Sequence, residues 1–245
     1  KIGSISMWNI VYADTKGHIG YQYNARIPHR EPGIDWRKTV AGDDPKTKWG
    51  PMYTMDELPH IENPKSGILV NANSSPWLTP TDNSIKPDWP ADVTTYGHTS
   101  RYDRLSKILL ESSSQTVKSK KISVEDAKKR ATDTMAPYGL EVVKALQAVP
   151  GLKSAMASDA MNILSKWDGK ANQDTVGTAI YTYWLRADRT APNLAIKLET
   201  AKWTDSEGLS AVQSLEKAVV QLTKDHGALN IPWGKVHVSH RGGVE

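Results

Sequence analysis

The order of residue patterns along the chain predicts an α+β fold. The first third consists of short runs rich in aromatic and β-branched residues, separated by turn chemistry. Beyond residue 100, apolar residues recur at spacings of three and four. Strands come first and helices follow, without the alternation that a parallel α/β sheet requires.

Ser6-Met-Trp-Asn-Ile-Val-Tyr-Ala13 has strand composition, Asp14-Thr-Lys-Gly17 supplies a turn, and the run from His18 to Ile27 resumes the strand pattern, so this is a β-hairpin. From Pro28 to Pro64 the chain is dense in Pro, Gly and Asp, which reads as a long surface loop anchored by Trp36 and Trp49. Loops of this length in compact domains are usually functional. Ser66 to Asn73 is a short apolar strand, stopped by Asn73-Ser-Ser-Pro76, and a second Pro- and Trp-rich loop runs from Trp77 to Pro90. Strands and long loop thus fill residues 1–76, and 77–245 is mainly helical. Arg101, Leu105, Ile108 and Leu109 place one apolar stripe on a helix. Ser123-Val-Glu-Asp126 is an N-cap with an acidic N3 residue that opens a helix toward Met135. Leu140–Val149, Ala155–Trp167, Val176–Ala187 and Ser206–Leu222 continue the helical pattern, and no internal repeat is present.

Bulk properties exclude several function classes. The net charge of +4 is spread along 245 residues. The densest basic stretch, Lys118 to Lys121 with Lys128, Lys129 and Arg130, is relieved by Glu125 and Asp126 and reads as a solvated helix entrance. It lacks the aromatic and basic interleaving of a nucleic-acid surface, so no nucleic-acid partner is expected. No apolar run approaches the roughly 20 residues that span a bilayer, so no membrane partner is expected. Without cysteine there is neither a disulfide framework nor a thiolate metal site. That absence suits a periplasmic or secreted protein made without disulfides, its export signal removed. The seven His form no His-x-x-x-His pair, the nearest being His237 and His240, which argues against zinc. Nine Trp and nine Tyr stand beside no Phe, for which there is no physical account.

Three segments stand out: Asn9-Ile-Val-Tyr-Ala-Asp-Thr-Lys-Gly-His-Ile-Gly-Tyr21 with Ala25-Arg-Ile-Pro-His-Arg30; Leu58-Pro-His-Ile-Glu-Asn-Pro continuing through Asn71-Ala-Asn-Ser-Ser-Pro-Trp77; and Ser100-Arg-Tyr-Asp-Arg-Leu-Ser-Lys-Ile-Leu-Leu110. Lys166-Trp-Asp-Gly169 with Asp174, and Pro232-Trp-Gly-Lys-Val-His237, are fainter echoes. In this order they resemble the penicillin acylase family of N-terminal-nucleophile hydrolases, which includes penicillin G acylases and acyl-homoserine-lactone acylases. The resemblance implies a four-layer αββα sandwich of two antiparallel sheets, of which 1–245 is the central portion of the large subunit. It also implies that the nucleophilic Ser lies on a segment or partner chain of the same processed precursor.

The roles carried over are residue by residue. In the family an Asn side chain stabilises the oxyanion, and aligning the Ser-Pro end of the motif puts that role on Asn73, with its side chain directed into a cleft. A plain turn cap before Pro76 is the bland reading of the same residue. Arg101 matches the Arg near the nucleophile's amine, where fixed donors and a permanent charge order the site; Arg104 is its rival by spacing. Trp8 falls at the wall of the acyl pocket, or is an ordinary core aromatic. The resemblance requires no cofactor and allows a structural calcium near Asp35-Trp36 and Asp82 through Asp88, although Ser84 stands nearest the position of the expected acid. The implied activity is cleavage of an N-acyl amide, such as an acyl-homoserine lactone or a penicillin. Two readings compete with it. One is a non-catalytic relative that keeps the sheet without the nucleophile, and the other a binding domain with Trp residues lining an open cleft. If the chain works with missing strands, Trp8, Ile10, Tyr12, Ile68 and Val70 are the residues expected to form an uncovered apolar face.

Overall fold

The computed structural model describes residues 8–81, 97, 99–114, 122–150, 154–198 and 200–239, and the chain divides into two compact units, 1–120 and 121–245. Among the described residues there are three strands and eight α-helices, with the strands in the first unit and all but one helix in the second.

In the first unit, strands β1 (Ile10–Ala13), β2 (Ile19–Gln22) and β3 (His60–Glu62) form an antiparallel sheet in that order, with Ile10 opposite Gln22 and Gln22 opposite His60. The hairpin turns because Asp14 Oδ1 accepts the backbone N–H groups of Lys16 and His18, each at 2.9 Å, and Gly17 takes φ +89°. Gly20 has no side chain for a separate reason. A Cβ there would come within 2.2 Å of the Tyr12 ring, which crosses over β2 to donate a hydrogen bond to Glu62 on β3 at 2.7 Å. On the other face Tyr21, Leu58, Ile61, Val70, Ala72 and Leu78 form the buried apolar set of this unit.

The stretch read as loop is closed at a neck. His29 N–H donates to Pro51, Gly50 to His29 and Tyr53 to Ile27, at 2.8 to 2.9 Å. The anchoring Trp residues converge on one cation: the Arg30 guanidinium lies 5.7 Å from the Trp36 ring centre and 5.9 Å from that of Trp49. β3 emerges from within that stretch, too short at three residues to leave an alternation. The strand expected from Ser66 to Asn73 does not form. The segment makes one bridge, Leu69 to Pro80, and one bond from Val70 N–H to Thr79 at 2.9 Å. Its partner is Pro80, which has no N–H to extend a ladder, and Pro64 and Gly67 (φ +66°) turn the chain just before it. Of the expected uncovered face, Trp8 and Tyr12 are exposed (77% and 40%), Ile10 and Ile68 are half-buried, and Val70 is buried. Helix α1 (Ser100–Ser114) ends the unit's described part. Its stripe is loosely covered, with Leu105 40% exposed while Ser106 is buried.

The second unit is helical: α2 (Val124–Ala131), α3 (Gly139–Ala148), α4 (Ala155–Leu164), α5 (Thr178–Arg186), α6 (Ala191–Lys197), α7 (Asp205–His226) and α8 (Trp233–Val236). The Ser123 and Asp126 capping box starts α2 as expected, but the helix stops at Ala131, and Met135 instead bridges Lys170. The core lies where α5 and α7 pack together with α3, α4 and α6, around Trp184, Ile180, Leu146, Leu164, Leu215 and Leu222. Its polar tips are satisfied: Trp184 Nε1 donates to Ala211 O at 2.9 Å and Tyr181 Oη to Pro137 O at 2.5 Å. α7 opens on a Thr204 and Glu207 capping box and closes at Gly227 in the left-handed region. α6 left no periodic signal, because it is seven residues long. It forms because Asp188 accepts the N–H groups of Thr190 and Ala191 at 2.9 and 3.1 Å and Pro192 sits in its first turn.

Candidate functional site

The segment from Ala72 to Pro76 is held from several sides. Ala72, Ser74, Ser75 and Pro76 are buried, whereas Asn73 between them is exposed with φ +58°. Asn is one of the few side-chain-bearing residues that tolerate this left-handed conformation, so the turn fits the residue at its apex. Ser75 and Gly97 bond each other, Ser75 N–H to the Gly97 carbonyl at 2.9 Å and Gly97 N–H to Ser75 Oγ. Behind the turn, Tyr21 on β2 turns its hydroxyl toward Thr79 and Asn71, and burial pushes that phenol far above its usual range.

Helix α1 is tied to the same turn. Thr99 Oγ1 accepts the N–H of Tyr102 at 3.2 Å, as an N-cap does, and donates to the Ala72 carbonyl at 3.1 Å. One side chain therefore both starts α1 and fixes its first turn against residue 72. Arg101 is then the second residue of the helix, and its Nη2 donates to Asn73 Oδ1 at 2.9 Å. The structure brings together the two residues singled out from the sequence, Asn73 and Arg101. Arg104, the rival by spacing, is half-buried further along α1. Asn73 is exposed, and its oxygen is satisfied by Arg101 and not by its own turn.

The chemistry of this contact is directional. A guanidinium has only donors, so the Asn73 atom facing Arg101 must be the carbonyl oxygen. The amide is thereby oriented with its Nδ2 donor on the other side, and a permanent positive charge stands behind its oxygen. The Ser75–Gly97 pair leaves no mark in the sequence. Thr99 carried a usable signal, a Thr just ahead of the helix with Asp103 in its first turn, but position alone does not reveal the second bond to Ala72.

Trp8 enters β1 and is 77% exposed in this chain. Of the acids near a calcium expected from the resemblance, Asp35 is engaged by Arg37 at 2.9 Å and Lys38 at 3.6 Å, and the Arg37 guanidinium holds its carboxyl below the usual range. Asp82, Ser84 and Asp88 lie outside the described residues, as does His240. Among the described residues no three His, Asp or Glu side chains converge as metal ligands.

Comparison with known proteins is consistent across the chain. The family model for penicillin amidase matches residues 1–243. The chain is 27% identical over 225 residues to penicillin G acylase from Escherichia coli, covering 84% of this chain and 24% of that protein. It is 26% identical over 180 residues to the penicillin acylase 2 proenzyme of Pseudomonas sp. (strain SE83), covering 73% of this chain and 21% of that one. The chain thus spans about a quarter or less of the length of these relatives. With the family model matched almost end to end, the chain belongs to the penicillin amidase family.

Proposed function

We propose that this chain supplies the electrostatic half of an N-acyl amide hydrolase active site, with Asn73 as oxyanion donor and Arg101 as the residue that orients it. The 2.9 Å contact between Arg101 and Asn73, at the motifs that carry the family resemblance, is the observation behind this reading. A Ser at the N-terminus of another segment or chain of the same precursor attacks the amide carbonyl through its Oγ, and its own α-amine takes the proton. Negative charge moves onto the carbonyl oxygen, where Asn73 Nδ2 donates to it. The intermediate then collapses, the amine leaves with the proton, and water hydrolyses the acyl ester to the free acid. Arg101 also favours the neutral, basic form of the nucleophile's amine through its charge. In this reading Trp8 walls the acyl pocket, the three-stranded sheet extends into a four-layer αββα sandwich, and the protein works in the periplasm or outside the cell. Substrates are N-acyl amides such as acyl-homoserine lactones or penicillins.

In the assembled enzyme, Asn73→Ala is expected to lower kcat by about 10²- to 10³-fold with KM changed far less, because the donor acts on charge that exists only in the transition state. A loss confined to KM, with kcat intact, overturns the assignment. Arg101→Lys keeps the charge but loses the fork, and is expected to be clearly impaired.

A further inference from the structure

The second unit holds a cleft that the acylase reading does not use. It lies between the C-terminal half of α3, the end of α6 and the first turns of α7, with a volume of about 620 Å³, within the range of small-molecule sites. Its walls are apolar: Ala145, Ala148, Val149, Leu198, Trp203 and Leu209, the last 56% exposed. The walls are also fixed. Trp203 Nε1 donates to Leu194 O at 2.8 Å while its ring stacks on Trp184. The Thr204 and Glu207 capping box, with Lys197 paired to Glu207 at 2.7 Å, locks the start of α7. A cleft so braced does not close on itself when empty, and exposed apolar surface in it is costly in water.

Four charged residues also line it: Glu141, Lys144, Lys202 and Asp205. The acids differ from the bases in their setting. Glu141 and Asp205 each stand in the first turn of a helix, α3 and α7, where the backbone N–H groups favour negative charge. Lys144 sits mid-way along α3 and Lys202 in the connection before α7. Neither ammonium meets a carboxylate at ion-pair distance among the described residues, and both are exposed. The four charges sum to zero, but each carboxylate faces the partial positive charge of a helix N-terminus whereas neither ammonium has such an offset, so the balance around this apolar cleft tips positive. We propose that the cleft is a binding site for an aliphatic carboxylate, the hydrocarbon chain lying against Val149, Leu198 and Trp203 and the carboxylate meeting Lys144 and Lys202.

Titration calorimetry of the 245-residue chain with hexanoate, octanoate and decanoate, all below their micellar concentrations, tests this. One site per chain is expected, with affinity rising up to about fourfold per added methylene as each is buried, and levelling off once the cleft is full. Ala148→Trp, at an exposed position on the cleft wall, is expected to weaken decanoate binding about tenfold or more with the melting temperature unchanged. Ala145→Phe provides the same block from the neighbouring turn should that variant fail to fold. The Lys144→Ala, Lys202→Ala double variant is expected to bind decanoate about threefold to tenfold more weakly and decan-1-ol as before. No saturable binding, undiminished binding to both blocked variants, or tighter binding of decylammonium than of decanoate overturns the proposal. None of these readouts depends on hydrolytic activity.

Discussion

Asn73 meets two demands that substitutions can separate. Its side chain accepts from Arg101 at 2.9 Å, and its backbone sits at φ +58°. Asn73→Gly keeps the backbone at ease and removes the amide, whereas Asn73→Ala removes the amide and adds the steric cost of a Cβ in the left-handed region, about 1 kcal/mol. The expected outcome is that chemical denaturation finds the Ala variant about 1 kcal/mol less stable than the Gly variant, while both lack the amide contact. Equal stabilities would mean that the turn relaxes and that the conformation at residue 73 is not fixed by its neighbours. The identity of this residue was legible in the Asn-Ala-Asn-Ser-Ser-Pro run, and its partner in the Arg at the head of an apolar-striped helix. The left-handed backbone and the double bonding of Thr99 were not, because both arise from residues 72, 97 and 99 meeting in space.

Among the elements, those with internal repetition were legible and those made by single contacts were not. The hairpin announced itself through Asp14 to Gly17, and α2, α3, α4, α5 and α7 through spacing and caps. The Ser66–Asn73 segment looked like a strand by composition but lacks a partner able to pair, since Pro80 offers no donor. α6 was invisible because it depends on Asp188, which caps it and also accepts from Ser214 at 2.8 Å and Lys217 at 3.1 Å on α7. Desolvation alone would raise the Asp188 pKa, but these donors and the two capping N–H groups together hold it down to about 2 from its ordinary 3.8. Glu207 is likewise held at about 2, below its ordinary 4.5, first by Lys197 and then by Thr204. Both folded pKa values are depressed. Their contribution to stability is therefore complete above pH 4.5 and is lost as the pH falls through the ordinary values toward 2. Thermal melts followed by circular dichroism are expected to show wild type losing stability faster between pH 4.5 and 2 than the Asp188→Asn, Glu207→Gln double variant, with parallel slopes counting against the two acids as the source. At neutral pH, Thr204→Ala is expected to cost about 1 kcal/mol through loss of the α7 cap. In the sheet, Gly20→Ala is expected to displace the Tyr12 ring and break its bond to Glu62. Loss of the Tyr12 contacts in nuclear Overhauser spectra would report it, and an undisturbed ring would show that β2 can shift to make room.

At the scale of the whole molecule the two units differ in how well each can hold itself together. Among the described residues, and prolines aside, the buried apolar side chains of the first unit are Tyr21, Leu58, Ile61, Val70, Ala72 and Leu78, around a sheet whose strands are three or four residues long. Its β1 is an edge strand, with Val11 50% exposed and Tyr12 40%. Short sheets with an open edge and a small core are marginal in water. The second unit instead wraps α7 with α3, α4, α5 and α6 around one continuous core that includes Trp167, Tyr181 and Trp184, and local helix contacts of this kind fold readily. Stability follows buried apolar area, so it is expected to be unequal between the units. Heating the chain is expected to give two transitions, the first unit unfolding before the second, and limited proteolysis to leave a resistant helical fragment within residues 122–239. A single transition with no protected fragment would show instead that the units unfold as one. If the first unit does melt early, adding the remaining segments of the precursor is expected to raise its transition while leaving that of the helical unit in place. Under the proposed function, those segments extend the sheet of the unit that holds Asn73 and Arg101.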